Sequence, residues 1–375
     1  MAKLAIPAVS VLVEHDRPIP MRDGTVLRAD VYRRTEGGPF PALLIRNPYG
    51  EQTIRTAPVI PAVEAGLAVV IQHCRGTGTS DGDFEPFANE AADGADTIEW
   101  CACQPWCDGS VGMFGPSYLG MVQLAAAGQA AEALKCLVPV VTPADYHGGL
   151  VYRQGAFQFG QLPGWYTRKS AQELVYRAAA GEDISADKPA LLGLMGNTAA
   201  AYAHLPLREA PAVSRIIPAW QQWLDHEERD GFWQSLSYAG ARNRITAPAL
   251  HVGGWFDLFL GGTLDNFVTL SRQAATAHAR RNQRLVIGPW THIDQTGAVG
   301  ELQFGLLASA LAIQLEQLQV DFLRRFSDPW PSRTRGPPSK DLRNGRQCLA
   351  RRAGVAAGAY RVDTLVLALR RVAVA

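Results

Sequence analysis

No apolar run in the chain approaches the ~20 residues needed to cross a bilayer. The N-terminal twenty residues lack the basic start and apolar stretch of a secretion signal. Charge of one sign is also missing: 36 Lys and Arg stand against 35 Asp and Glu. That balance gives no electrostatic basis for a nucleic-acid or anionic-membrane partner. There is no internal repeat. Cysteine is sparse, six in 375 residues, which reads as free thiols in a reducing compartment and predicts a cytoplasmic protein. Cys101, Cys103 and Cys107 lie close together, but zinc sites usually add a second pair, and Cys74, Cys136 and Cys348 are isolated. No metal and no organic cofactor are predicted. Apolar residues, at 47%, are plentiful enough for a substantial core.

What is present is a series of short apolar runs alternating with helical segments. Asp23-Gly24 reads as the turn of an early hairpin between residues 18–21 and 26–32. Strands are expected over 41–45, 67–71, 111–114 and 137–141, with helical patterns over 57–65 and 93–103 between them. Arg46-Asn47-Pro48-Tyr49-Gly50 reads as a loop. The glycine-rich stretch from His73 to Gly82 has some look of a phosphate cradle, yet it misses both phosphate-binding spacings and reads as a tight structural loop. From 142 to 244 the pattern changes to short helical pieces with no clear strand, the composition of a cap. Strands resume over 249–252 and 285–287, separated by a helix over 264–280 and followed by an amphipathic helix over 302–326. Apolar runs of this length between helices imply a mostly parallel sheet covered on both faces. The expected organisation is therefore a core in two parts, 1–141 and 245–328, a helical cap at 142–244, and a basic tail at 329–375.

The chain is organised around Gly115-Pro116-Ser117-Tyr118-Leu119-Gly120, a near relative of the G-x-S-x-G elbow whose last glycine falls one place late. Such a turn lifts a serine clear of its neighbours and aims a helix N-terminus at it. A serine nucleophile needs a base, and the base needs an acid to orient it. In hydrolases of the α/β type these follow in the order Ser, Asp or Glu, His, on loops after later strands. Asp257 follows the run at 249–252 and His292 follows the run at 285–287. The separations, 257 − 117 = 140 and 292 − 257 = 35 residues, suit a cap plus one strand and a helix plus one strand. Asp257 read instead as a helix N-cap, or His292 as one of eight ordinary histidines, is the structural alternative. The Tyr118 N–H is the expected oxyanion donor, and the Tyr49 phenol is a candidate for the second, since Pro48 has no N–H. Phe259 and Trp165 are candidate walls of an acyl pocket, with core packing the alternative for Trp165.

These motifs, taken with Arg75-Gly76-x-Gly78-x-Ser80-x-Gly82, Gln104-Pro105-Trp106-Cys107-Asp108-Gly109, Asp230-x-Phe232-Trp233, Gly254-Trp255-Phe256-Asp257 and Gly288-Pro289-Trp290-x-His292, resemble the CocE/NonD hydrolases. That group is related to X-prolyl dipeptidyl peptidases, cocaine esterase and α-amino-acid ester hydrolases. The resemblance runs from about Ala8 to Asp328. It implies an α/β-hydrolase fold with a helical cap, Ser117 as nucleophile, Asp257 as acid, His292 as base, and Tyr49 with Tyr118 at the oxyanion. The expected reaction is cleavage of a small-molecule ester or amide through an acyl-enzyme. A dipeptidyl peptidase or acyltransferase on the same triad, or a truncated inactive relative, is the alternative. Three departures stand out. Leu258, Phe259 and Leu260 occupy positions where the amino-acid ester hydrolases carry acids, which favours an apolar acyl pocket over amine recognition. His73 replaces a usual acidic residue. The C-terminal β-sandwich that the family implies is not matched: residues 331–375 carry ten Lys and Arg against Asp341 and Asp363. A reading frame shifted near Ser327 to Pro331 would produce such a tail, and a search of the other frames of the coding DNA for sandwich sequence tests that hypothesis.

Overall fold

Alternating β-branched runs and helices build a nine-stranded, mostly parallel sheet. The computed structural model describes residues 9–50, 57–197, 199, 203–209 and 219–327, with the backbone of one further strand at 364–366. In chain order the first strands are β1 (Val11–Pro20), β2 (Val26–Arg34), β3 (Phe40–Asn47), β4 (Ala68–His73), β5 (Cys107–Pro116) and β6 (Leu134–Val140). A small hairpin, β7 (Tyr152–Arg153) and β8 (Ala156–Phe157), precedes β9 (Leu250–Phe256) and β10 (Arg284–Thr291). A second hairpin, β11 (Ala298–Val299) and β12 (Leu302–Gln303), precedes β13 (Thr364–Val366). The large sheet runs β1-β2-β4-β3-β5-β6-β9-β10-β13. Pairing is antiparallel for β1 with β2 and β2 with β4, and parallel from there on.

The Asp23-Gly24 turn closes the first hairpin: the Asp23 carboxylate accepts from Thr25 N–H at 3.0 Å. Strand β1, at the sheet edge, is mostly exposed and carries Glu14, His15, Asp16 and Arg17, charges that discourage pairing with another chain. Strands β3 and β4 are buried almost throughout, as strands covered on both faces must be. The covering helices are α1 (Val59–Glu64), α2 (Glu90–Ala102) and α3 (Tyr118–Ala127). Between β6 and β9 lie α4 (Leu162–Ala179), α5 (Asp187–Gly196), α6 (Ala219–Asp225) and α7 (Gly231–Leu236); buried Trp220 and Trp223 belong to α6 and Trp233 to α7, and Tyr166 of α4 packs edge-on to Trp223. Helices α8 (Leu260–Gln273), α9 (Ala277–Arg281) and α10 (Leu315–Ser327) complete the core. This is the α/β-hydrolase fold. No described helix is long and apolar enough to cross a membrane.

Several expected boundaries move. Arg46 and Asn47 belong to β3 rather than to a loop, because both are buried and hydrogen-bonded inside. The segment 142–244 contains the hairpin β7–β8 as well as helices. The helix expected over 264–280 is two: Ala274 is extended (φ −53, ψ 148), and Thr276 caps a new helix by accepting from Ala279 N–H at 3.0 Å. The helix expected over 302–326 begins only at Leu315, since Gly300 and Gly305 take positive φ and the preceding residues form β12 and a short turn of 3₁₀ helix. Cys101 and Cys107 are buried, and burial raises both thiols, while Cys103 is exposed. The predicted tail, with Cys348, lies outside the described residues except for β13, which pairs in parallel with β10.

Candidate active site

Three parallel strands end one residue short of the three predicted polar groups. Strand β5 stops at Pro116 before Ser117, β9 at Phe256 before Asp257, and β10 at Thr291 before His292. Since β9 and β10 are paired neighbours, with Phe256 opposite Thr291, Asp257 and His292 emerge side by side. His292 Nδ1 stands 2.8 Å from Asp257 Oδ1, and His292 Nε2 stands 3.0 Å from Ser117 Oγ. The Asp257 side chain is fully buried, so its charge favours a proton on Nδ1 and leaves Nε2 to accept from the serine hydroxyl. It does not cap a helix: α8 starts at Leu260 with no side-chain cap. Phe259 packs its ring at 85° against the imidazole, 5.2 Å away, and so limits how the base can rotate.

The elbow explains its glycine spacing. Ser117 has φ 57 and ψ −121, a backbone region costing about 1–3 kcal/mol for a residue with a side chain. Ser117 N–H donates to Val140 O at 2.8 Å, which ties the turn to β6. A Cβ on Gly120 would lie 1.8 Å from Thr142 Oγ1, so the glycine is needed one place later than in the usual pattern, while buried Leu119 takes the earlier position. The motif around His292 is packing too: a Cβ on Gly288 would meet the buried Trp290 ring at 2.1 Å, and Trp290 Nε1 donates to Ala308 O at 2.8 Å.

Tyr118 opens α3, so its N–H has no acceptor within the helix. Its side chain is held from behind. The phenol donates to Glu90 Oε1 at 2.7 Å and accepts from Phe87 N–H at 3.1 Å. Burial, and next the Glu90 charge, hold that phenol well above its ordinary pKa. Glu90 in turn meets Arg46 Nη1 at 2.5 Å, Arg46 Nε donates to Gln72 Oε1 at 2.7 Å, and Arg75 joins Asp93 (2.6 Å) to Asp23 (2.8 Å). The glycine-rich loop is therefore a structural anchor for Arg75. Sequence reasoning missed this network; the paired arginines of the Arg46 and Arg75 motifs were its only trace.

Tyr49 is set by an Asx turn, its N–H donating to Asn47 Oδ1 at 2.8 Å. Its hydroxyl accepts from Trp165 Nε1 at 2.9 Å, and burial pushes its pKa up to about 12, so the phenol keeps a proton to donate. The Trp165 ring stacks 6.0 Å from that of Tyr118. Tyr49, Ser117, Tyr118, Trp165, Phe259 and His292 line one cavity of about 1170 Å³. All the predicted site residues thus meet around one space except Asp257, which lies behind His292. Leu258, already singled out beside Phe259, lines it too, as do Phe87, Phe114, Leu150 and Leu162; nothing in the sequence marks these last four apart from other core residues.

A buried acid, an imidazole and an elbow serine at the C-terminal ends of a parallel sheet define the α/β-hydrolase class. Residues 23–294 match the X-Pro dipeptidyl-peptidase (S15 family). The chain belongs to this family, which accords with the CocE/NonD resemblance. It is 37% identical over 299 residues to a cocaine esterase of Rhodococcus sp. (strain MB1 Bresler), a match covering 78% of this chain and 51% of that protein. Among solved structures it resembles an α-amino acid ester hydrolase (TM-score 0.66, 21% identity, 90% of this chain and 58% of that one). It also resembles a CocE/NonD family hydrolase from Staphylococcus aureus (TM-score 0.61, 20% identity, 86% and 51%). The chain spans about half the length of the cocaine esterase it matches.

Proposed function

We propose that this chain hydrolyses small-molecule esters through an acyl-enzyme on Ser117. The observation that carries the reading is the single imidazole of His292 bridging Ser117 Oγ at 3.0 Å and Asp257 Oδ1 at 2.8 Å. Ser117 Oγ attacks the ester carbonyl while His292 Nε2 takes its proton, and Asp257 steadies the imidazolium. Tyr118 N–H and the Tyr49 phenol donate to the oxyanion. Collapse expels the alcohol, protonated by His292; water then attacks the acyl group by the same base and returns the serine. No step calls for a cofactor. The apolar Leu258 and Phe259 favour an acyl group without an amine, and the cocaine esterase similarity supports an ester over an X-prolyl amide.

Labelling tests the nucleophile. A fluorophosphonate should add once to the protein, and peptide mapping should place the adduct on Ser117. Ser117→Ala should remain unlabelled. Labelling that persists unchanged in Ser117→Ala would end the assignment.

A further inference from the structure

We propose that Arg168 selects for esters bearing a carboxylate on the part of the substrate that does not react. The proposal rests on the ester-hydrolase reading and narrows its substrate class. Among the described residues lining the cavity, whose walls are otherwise largely apolar, Arg168 is the one Lys or Arg. It sits on α4 three residues after Trp165, so the two share a helix face. Trp165 is bonded to Tyr49, and the Arg168 charge is felt at that same phenol, which it draws toward lower pKa against the larger effect of burial.

The other cations of α4 have partners. Lys169 meets Glu173 at 3.1 Å and lies over the Phe84 ring; Arg177 meets Glu182 and Asp187. Arg168 makes no hydrogen bond or ion pair with any described residue. Two carboxylates also reach the lining, Glu64 at the end of α1 and Glu316 in the first turn of α10, and neither pairs with it. An exposed guanidinium at a cavity wall, with its planar fork of donors unspent, matches a carboxylate in a bidentate contact. The same charge disfavours a substrate ammonium, in keeping with Leu258 and Phe259 where amine-binding acids would otherwise stand.

The test is a specificity ratio: kcat/KM for an anionic ester over kcat/KM for a neutral one. Mono-p-nitrophenyl glutarate against p-nitrophenyl butyrate places the charge on the acyl side. 4-Acetoxybenzoate against phenyl acetate places it on the leaving group. In Arg168→Ala the ratio should fall about ten- to hundredfold on one of the two pairs, the range of a charge-assisted hydrogen bond. Arg168→Lys should fall less, and Arg168→Glu should fall furthest. Ratios unchanged in both pairs, or equal loss on anionic and neutral esters, would overturn the proposal. If wild type turns over no ester, the hydrolase reading fails separately. Glutarate titrated against the tryptophan fluorescence of Ser117→Ala protein then still decides. A saturable change lost in Arg168→Glu supports the site, whereas no saturable change, or one indifferent to the reversal, refutes it.

Discussion

Replacing Arg46 by methionine would probe how the nucleophile's neighbour is held. Arg46 is fully buried; it donates to Gln72 Oε1 at 2.7 Å and to Glu90 Oε2 at 2.5 Å, and Nη2 stands 3.8 Å from Asp93. Methionine keeps the aliphatic stem but leaves the buried Glu90 carboxylate without a cationic partner, its remaining side-chain donors being the Tyr118 hydroxyl and the Cys74 thiol. Removing one partner of a buried pair costs about 3–5 kcal/mol. At about 2 °C per kcal/mol for a long chain, the melting temperature should fall by about 6–10 °C. Arg46→Met/Glu90→Gln should recover most of that loss, because the amide oxygen still accepts from Tyr118 while no charge is stranded. Because Glu90 anchors the Tyr118 ring, and the Tyr118 N–H is the proposed oxyanion donor, kcat should fall in the single variant and recover in the double. Thermal melts and ester kinetics on the wild type, both singles and the double form the cycle. A melting temperature within 1 °C of wild type (~0.5 kcal/mol) in Arg46→Met, or no recovery in the double, would refute the network's role.

Two further effects are expected. Tyr49→Phe keeps the ring and removes the donor, so kcat should drop about 10²–10³-fold with KM little changed; activity within twofold of wild type would remove Tyr49 from the oxyanion site. His251, buried with its Nε2–H donating to Gln283 Oε1 at 2.9 Å, is pulled by burial to a pKa of about 4 from 6.5. The fold therefore holds it neutral while the unfolded chain takes a proton, so this contribution to stability is intact above pH 6.5 and drains away toward pH 4. Over that window it amounts to about 3 kcal/mol. His251→Gln should flatten the fall of melting temperature between pH 7 and 4.5; an equal fall in both proteins would contradict the burial argument.

The three members of the proposed triad could be named because each follows a short apolar run that ends in a glycine-bearing motif, a pattern written locally in the chain. Tyr49 could be named from the missing N–H of Pro48, yet its anchor, Trp165, lies 116 residues away. The Arg46–Glu90–Tyr118 network was hidden for the same reason: its bonds span 44 and 28 residues and leave no periodic signal. The helix expected over 302–326 failed because apolar spacing there survives in a hairpin and loops, where Gly300 and Gly305 break the helix. Nothing in the sequence marks Arg168; only the fold brings it to the cavity wall.

Ser117, with His292 and Asp257, is proposed to form and release an acyl-enzyme. A stopped-flow trace of p-nitrophenyl butyrate hydrolysis tests it most directly. A burst approaching one equivalent of p-nitrophenol per chain, followed by a slower steady rate, is expected, with the burst absent in Ser117→Ala. Equal slow release from both proteins would contradict it.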